Sequence, residues 1–181
     1  SSREELEKRI RESEKRDREM HERLRRTAEK IEKEDKEMHD RLREKAERIE
    51  ERIDKEVSDE DTARRLKEEL KRLLEDLERV NRRTKEELER LLKEAEELNK
   101  RTEERNRKLE KEIKDIISRD TKSELIERIA ERIERLNRDT ERINRELEEK
   151  LRRLLKRIRE INTELDKRLK ELLDRIEEAS R

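Results

Sequence analysis

The chain has 181 residues, of which 56 are lysine or arginine and 56 are aspartate or glutamate, so its formal net charge is zero. Glycine, proline, cysteine and the three aromatic residue types are absent, whereas natural globular domains contain about 7% glycine and about 5% proline. The missing cysteine excludes disulfides, thiolate metal sites and thiol nucleophiles. The missing glycine argues against phosphate-binding loops, which need backbone positions that glycine fills easily. We therefore expect no natural biochemical activity.

The distribution of charge bears on partners. Acidic and basic residues are finely mixed, so no basic stripe is available for nucleic acid, and no aromatic side chain can stack on bases. No apolar run approaches the ~20 residues of a membrane span. We expect no nucleic-acid or membrane binding, no cofactor and no required partner. The chain should be soluble, with no natural localisation and a cytoplasmic one only after recombinant expression.

Apolar residues recur at three- and four-residue spacing in every third of the chain, which indicates one narrow apolar stripe per helix. In the first third the stripe consists of Leu6, Ile10, Met20, Leu24, Ile31, Met38, Leu42, Ile49 and Ile53. Neither a disordered chain nor a solitary charged helix needs such a stripe. The pattern predicts an all-α bundle with coiled-coil-like packing.

Helix boundaries follow from three segments that begin with a hydroxyl residue and carry a carboxylate three residues later, the spacing of a capping box. These segments are Ser2–Glu5, Ser58–Asp61 and Thr121–Glu124. They predict helix 1 over about 2–56, helix 2 over about 59–117 and helix 3 over about 122–180, in a single domain spanning 1–181. Short connections make consecutive helices antiparallel, so the predicted fold is an up-down-up three-helix bundle. One kinked helix that folds only as an oligomer is the alternative.

The apolar content bears on oligomeric state. A strict two-in-seven seam requires about 29% apolar residues, and the chain has 26%. That content is enough for one internal core and leaves no evident second apolar face. A monomer is favoured, with homo-oligomerisation or self-assembly as the open alternative.

A repeat of 18 residues recurs in all three predicted helices. Asp17–Leu24 returns as Asp35–Leu42, Asn81–Thr84 as Asn99–Thr102, and Ile143–Leu147 as Ile161–Leu165. Eighteen residues make five turns of a straight 3.6-residue helix, whereas a heptad repeat imposes a left-handed supercoil. The repeat predicts long, nearly untwisted helices built from similar layers.

Neutral polar residues are rare in the sequence, and most of them lie on or next to the apolar stripes. Asparagine and threonine form helices less well than glutamate or lysine, so we interpret them as members of buried hydrogen-bond networks. When their heights are aligned in the antiparallel topology, they collect at two levels about 27 Å apart by helix rise. The first predicted network contains Asp17, His21, Asn99, Thr102, Asn137, Thr140 and Asn144, with Ser13 and Asn106 beyond it. The second contains Asp35, His39, Asn81, Thr84 and Asn162. Polar flanking residues that simply face solvent are the alternative.

The restricted alphabet, the caps, the 18-residue modules and the His/Asn/Thr layers together resemble de novo designed helical bundles with modular buried hydrogen-bond networks. The resemblance covers the whole chain and implies a designed structural scaffold whose polar layers specify register. Buried histidines also resemble those of pH-responsive designs. The alternative function is therefore a pH-responsive module or assembly subunit, switched by protonation of His21 and His39.

The two histidines were also considered as chemical groups. Asp17 and His21 are four residues apart on one helix, as are Asp35 and His39, so each pair can hydrogen-bond. Ser13 is the only weak candidate for a nucleophile, and no oxyanion donors are evident, so we expect no enzyme. A metal site needs three or four convergent ligands, and each layer offers one histidine and one aspartate. No metal site is predicted, and a ligand- or metal-binding scaffold is the third hypothesis.

Overall fold

A computed structural model describes residues 3–117 and 123–181 of the chain. Within them the protein consists of three helices, α1 (Arg3–Glu56), α2 (Glu60–Ile117) and α3 (Ser123–Ser180). Each helix packs against the other two, so the fold is the predicted all-α three-helix bundle. The predicted helix boundaries agree with the observed ones to within a residue.

The chain divides into two compact units, and each unit contains a segment of all three helices. The first unit comprises Ser1–Ala28 and Arg90–Leu151, and the second comprises Glu29–Glu89 and Arg152–Arg181. The core of the first unit includes Leu6, Ile10, Leu109, Ile113, Ile129, Ala130 and Ile133. The core of the second unit is built from residues such as Ile49, Ile53, Leu66, Leu169 and Ile176.

Ion pairs at the surface report the helix directions. In the first unit, α1 and α3 are parallel, because Arg9 pairs with Glu134 and Arg16 with Glu141, both at a separation of 125 residues. Arg159 and Glu34 of the second unit have the same separation. The α2–α3 contacts are antiparallel, since partner numbers fall along α2 as they rise along α3.

The α2–α3 ion pairs are Arg132–Glu112 and Lys150–Glu94 in the first unit, and Arg157–Glu87, Arg168–Asp76 and Arg175–Glu69 in the second. Most of these charges are well exposed, so each pair contributes little free energy. Their value is as markers of an up-down-up order.

Burial along each helix follows the 18-residue period that the sequence predicts. Leu24 and Leu42 are both buried, and so are the threonine pair Thr84 and Thr102. Because 18 residues are five full turns, the buried stripe returns to the same face without the drift that a supercoil would have to absorb. We call this buried stripe of each helix its seam.

The seam differs from the expected one at several polar positions. We expected asparagine to flank the seam beside Ile143 and Ile161. Instead Asn144 and Asn162 are buried at 6% and 8% exposure, whereas Ile161 is 37% exposed. Both choices satisfy three- and four-residue spacing, so periodicity alone could not separate them. Leu125, which we assigned to the seam, is also exposed.

The N-terminus of α2 corrects one predicted cap. The helix begins at Glu60, and the capping residue is Asp59 rather than Ser58. The Asp59 carboxylate accepts hydrogen bonds from the Thr62 backbone N–H at 3.3 Å and from the Thr62 hydroxyl at 2.5 Å. These bonds lower the pKa of Asp59. The predicted caps at Ser2 and Thr121 lie outside the described residues.

We expect Asp59→Ala to lower the urea midpoint of unfolding at neutral pH, because it removes the acceptor for an otherwise unpaired helical N–H. The lowered pKa means that this stabilisation is present above the ordinary value of 3.8 and is lost as pH falls through the folded-state pKa. The difference from the parent should therefore disappear in strong acid. Ser58→Ala is the matched control, and an equal or larger loss in that variant would restore Ser58 as the cap.

Candidate functional site at two buried polar clusters

The first unit contains a polar cluster centred on a part-buried arginine. Arg105 of α2 donates from Nη1 to the Thr140 hydroxyl of α3 at 2.6 Å and to the Leu136 carbonyl at 3.2 Å. Its Nη2 donates to the Asp17 carboxylate of α1 at 3.3 Å. One guanidinium therefore contacts both other helices. We call Ser13, Asp17, Arg105, Asn106, Asn137 and Thr140 the first polar cluster.

Asp17 and Asn106 complete the centre of this cluster. Asn106 Nδ2 donates to Asp17 Oδ2 at 3.2 Å, and Asn106 Oδ1 accepts from Arg105 Nη2 at 3.2 Å. Both residues are buried. The asparagine amide thus donates to the carboxylate and accepts from the guanidinium, which fits its donor and acceptor groups.

The outer part of the first polar cluster joins α1 to α3. The buried Ser13 hydroxyl donates to Asn137 Oδ1 at 2.5 Å. Thr140, which accepts from Arg105, also donates to the Leu136 carbonyl one turn earlier at 2.9 Å. These contacts tie all three helices together in a single layer of the first unit.

Other residues of the first predicted network make local contacts instead. Thr102 donates to the Leu98 carbonyl at 2.7 Å, and Asn144 donates to the Thr140 carbonyl at 3.0 Å. Asn99 is only half-buried and donates to Glu103 of its own helix at 3.4 Å. Such bonds satisfy polar groups on the seam, but they do not connect helices.

His21 lies away from Asp17. Its Nε2 is 3.4 Å from the Glu96 carboxylate of α2, and its side chain is half-buried. Asp17 is bound by Arg105 and Asn106. The structure therefore brings Asp17 together with residues of α2 rather than with the histidine one turn later.

Burial dominates the electrostatics of the Asp17–Arg105 pair. It raises the pKa of Asp17, although the Asn106 hydrogen bond and the Arg105 charge oppose that rise. It also lowers the pKa of Arg105, against the attraction of Asp17. Both shifts favour the neutral forms, so the loss of hydration outweighs the attraction between the two charges. Arg105 Nε is moreover buried without a hydrogen-bond partner.

The second unit contains a cluster around His39, which we call the second polar cluster and define as Asp35, His39, Glu78, Thr84 and Asn162. The His39 ring is buried, and its Nε2 is 3.4 Å from the Glu78 carboxylate of α2. Arg43 reaches the same carboxylate at 2.5 Å. His39 Nδ1 is buried without a hydrogen-bond partner. The expected Asp35–His39 hydrogen bond is thus not formed at Nδ1.

The remaining members of the second predicted network vary in burial. Asp35 is buried, which raises its pKa, while the nearby His39 and Lys85 lower it. Thr84 is buried, Asn81 is half-buried, and the buried Asn162 donates to the Ile158 carbonyl of its own helix at 2.8 Å. The contact between helices in this layer is therefore the one from His39 to Glu78.

The donor set bears on metal and membrane chemistry. Among residues 3–117 and 123–181, His, Asp and Glu side chains do not assemble into a group of three or more that could hold a metal ion. In the same ranges no helix carries an apolar stretch long enough to cross a membrane. Ser13 donates its proton to Asn137, so the weak nucleophile candidate is engaged in a structural contact.

Sequence reasoning missed the two charged residues that join the helices. Arg105 and Glu78 belong to residue types that usually cover solvated faces, and each lies beside a seam position rather than on it. One signal could have found Arg105, since it directly precedes Asn106 and follows Thr102 by three residues. Comparison with protein-family models, curated proteins and solved structures gives no match for this chain.

We expect Arg105→Leu to destabilise the protein by about 3 kcal/mol, because it leaves the buried Asp17 carboxylate without its countercharge. This is the lower end of the range for a buried pair, since the Arg105 side chain keeps 18% exposure. The double variant Asp17→Leu with Arg105→Leu should recover most of the loss. Urea unfolding at pH 7.5 measures both.

The matched control for this cycle is Arg9→Leu, which removes an exposed ion pair to Glu134. Exposed pairs contribute about 0–1 kcal/mol. If Arg105→Leu were as mild as this control, Arg105 would be an ordinary surface residue.

Proposed function

We propose that the chain is a designed structural scaffold with no natural biochemical function, in which the buried polar clusters fix the alignment of the helices. The observation that carries the proposal is the position of Arg105, whose guanidinium bonds to Asp17 of α1 and Thr140 of α3. A group that bonds to both neighbouring helices defines their relative register in a way that apolar side chains do not.

The energetics of the first polar cluster support a role in specificity rather than in stability. Burial shifts both Asp17 and Arg105 towards their neutral forms, so the pair is retained at a cost. Apolar replacements of buried ion pairs are often neutral or stabilising. In some systems buried polar groups fix register, and we take that as the hypothesis for this chain.

The 18-residue repeat explains why register needs a specific device. Leu147 and Leu165 occupy equivalent positions one repeat apart, and both are buried. A helix displaced by one repeat would therefore place apolar residues against apolar residues again. A polar cluster opposes that displacement, because a slipped helix would leave buried donors and acceptors unpaired.

We expect an apolar version of the first polar cluster to remain helical and to lose its unique register. The variant carries Ser13→Ala, Asp17→Leu, Arg105→Leu, Asn106→Leu and Thr140→Val. Spin labels on cysteines at Arg16 and Glu141, which form an ion pair in the parent, measure the α1–α3 alignment by double electron–electron resonance. The parent should give one narrow distance distribution, and the variant a second one, longer by about 27 Å for an 18-residue slip.

A matched control carries Asn81→Leu and Asn99→Leu, which are half-buried, and Asn99 bonds only within its own helix. This control should keep the single distance of the parent. A single narrow distance in the apolar variant as well would show that the polar cluster does not set the register.

A second candidate function, a pH-responsive module, is supported by His39. Its ring is buried in the second unit, and its Nδ1 has no hydrogen-bond partner. A proton added there creates a buried donor, which is costly unless an acceptor reaches it. Asp35, one turn earlier, is the carboxylate available on the same helix.

Molecular mass distinguishes the two candidate functions. A scaffold keeps one mass by light scattering at pH 7.5 and pH 4.5, and this is the result we expect. An assembly switched by histidine changes mass between these pH values, and the change is lost in the double variant His21→Asn with His39→Asn. A mass change in the parent that the double variant abolishes would favour the pH-responsive module.

A further inference from the structure

Two acidic side chains face each other across the α1–α2 contact of the first unit. Glu14 and Glu110 form a side-chain hydrogen bond with one another. An ionised carboxylate can only accept hydrogen bonds, so two carboxyl groups bond to each other only when one of them carries a proton. The contact therefore contains a proton that the formal charge of the chain does not count.

The α1–α2 contacts of the chain are otherwise of opposite charge. Arg105 meets Asp17 in the first unit, and in the second unit Arg43 meets Glu78 and Lys67 meets Asp54. At Glu14 and Glu110 two like charges would repel if both were ionised, and a shared proton removes that repulsion.

The charges around the Glu14–Glu110 pair do not neutralise it. Beside the pair are two small grooves, of about 160 Å³ and about 190 Å³, whose charged lining residues belong to α1 and α2. They are Glu7, Arg11, Asp17 and Arg18 on α1, with Glu103, Arg107 and Lys114 on α2. On α3, Glu141 acts on Asp17. Acidic and basic groups are equally numerous in this set, so the surroundings supply no net positive charge.

We propose that Glu14 and Glu110 hold one shared proton near neutral pH, so that the α1–α2 contact of the first unit strengthens as the solution is acidified. This property is separate from the scaffold role and does not depend on it. The two carboxyls act as a proton-dependent clasp between the helices, formed from residues that the histidine-based hypothesis does not use.

The sign of the effect follows from the titration of the pair. The hydrogen bond with Glu110, followed by burial, raises the pKa of Glu14 from 4.5 to about 7, and Arg18 opposes the rise. A folded-state pKa above the unfolded value contributes stability that is complete below about 4.5 and is lost as pH rises through about 7. The pair thus stabilises the fold in mild acid and not in base.

The direct test is a carbon-13 NMR titration of the Glu14 side-chain carboxyl in the full-length folded chain. In the parent its midpoint should lie near 7, and in Glu110→Gln it should fall towards 4.5, because glutamine supplies a donor and removes the second negative charge. Glu104→Gln, an exposed substitution on the same helix, is the matched control and should leave the midpoint unchanged. A Glu14 midpoint near 4.5 in the parent would overturn the proposal.

Stability gives an independent readout. The parent should have a higher urea midpoint at pH 5.5 than at pH 8.0, and Glu14→Gln and Glu110→Gln should each reduce that difference. The double variant should behave like either single variant, because one proton is shared by two groups. A pH dependence that is equal in parent, single variants and Glu104→Gln would contradict the clasp.

Discussion

The fold depends on one geometric constraint: the buried face of each helix must return after 18 residues. Five turns of an α-helix complete in that interval, so a seam with this period keeps facing its neighbours along a straight axis. Leu24 and Leu42 on α1, like Leu147 and Leu165 on α3, occupy equivalent buried positions one repeat apart. With 26% apolar residues the chain fills this seam, and charged residues cover most of the remaining helix surface. The same regularity makes neighbouring registers similar in energy, which is a weakness that apolar packing cannot correct.

Polar groups on the seam can correct it because their partners are specific. The Arg105 guanidinium bonds to Asp17 and Thr140 on two different helices, and a shifted helix would leave these groups buried and unpaired. The pKa shifts of Asp17 and Arg105 both indicate that burial costs more than the pair returns. Stability from the apolar seam and specificity from the polar cluster are thus separate contributions, made by different residues. The Asn144 side chain, which bonds to its own helix, satisfies its buried amide without adding to that specificity.

The extent to which the sequence predicted this arrangement follows from the information in its periodicity. Helix number, direction and boundaries were correct because three- and four-residue spacing and short connections constrain them strongly. The choice between Ile161 and Asn162 as the buried residue was wrong, because both positions satisfy the same spacing. Arg105 was missed since a long charged side chain beside a seam has the same sequence signature as one in solvent. The cap at Asp59 was displaced by one residue, because Ser58 and Asp59 are both good capping residues and only the backbone decides between them.

Proton binding is distributed over groups that act in opposite directions. The carboxyls of Asp17, Asp35 and Glu14 all have raised pKa values, so each favours the folded state more as the solution becomes acidic. A proton on the buried His39 Nδ1 acts against folding unless Asp35 accepts it, and that acceptance requires Asp35 to remain ionised. The raised pKa of Asp35 narrows the pH range in which both conditions hold. A chain whose carboxyls gain stability in acid while its histidine loses it resists acid as a whole, and such a balance suits a scaffold better than a switch.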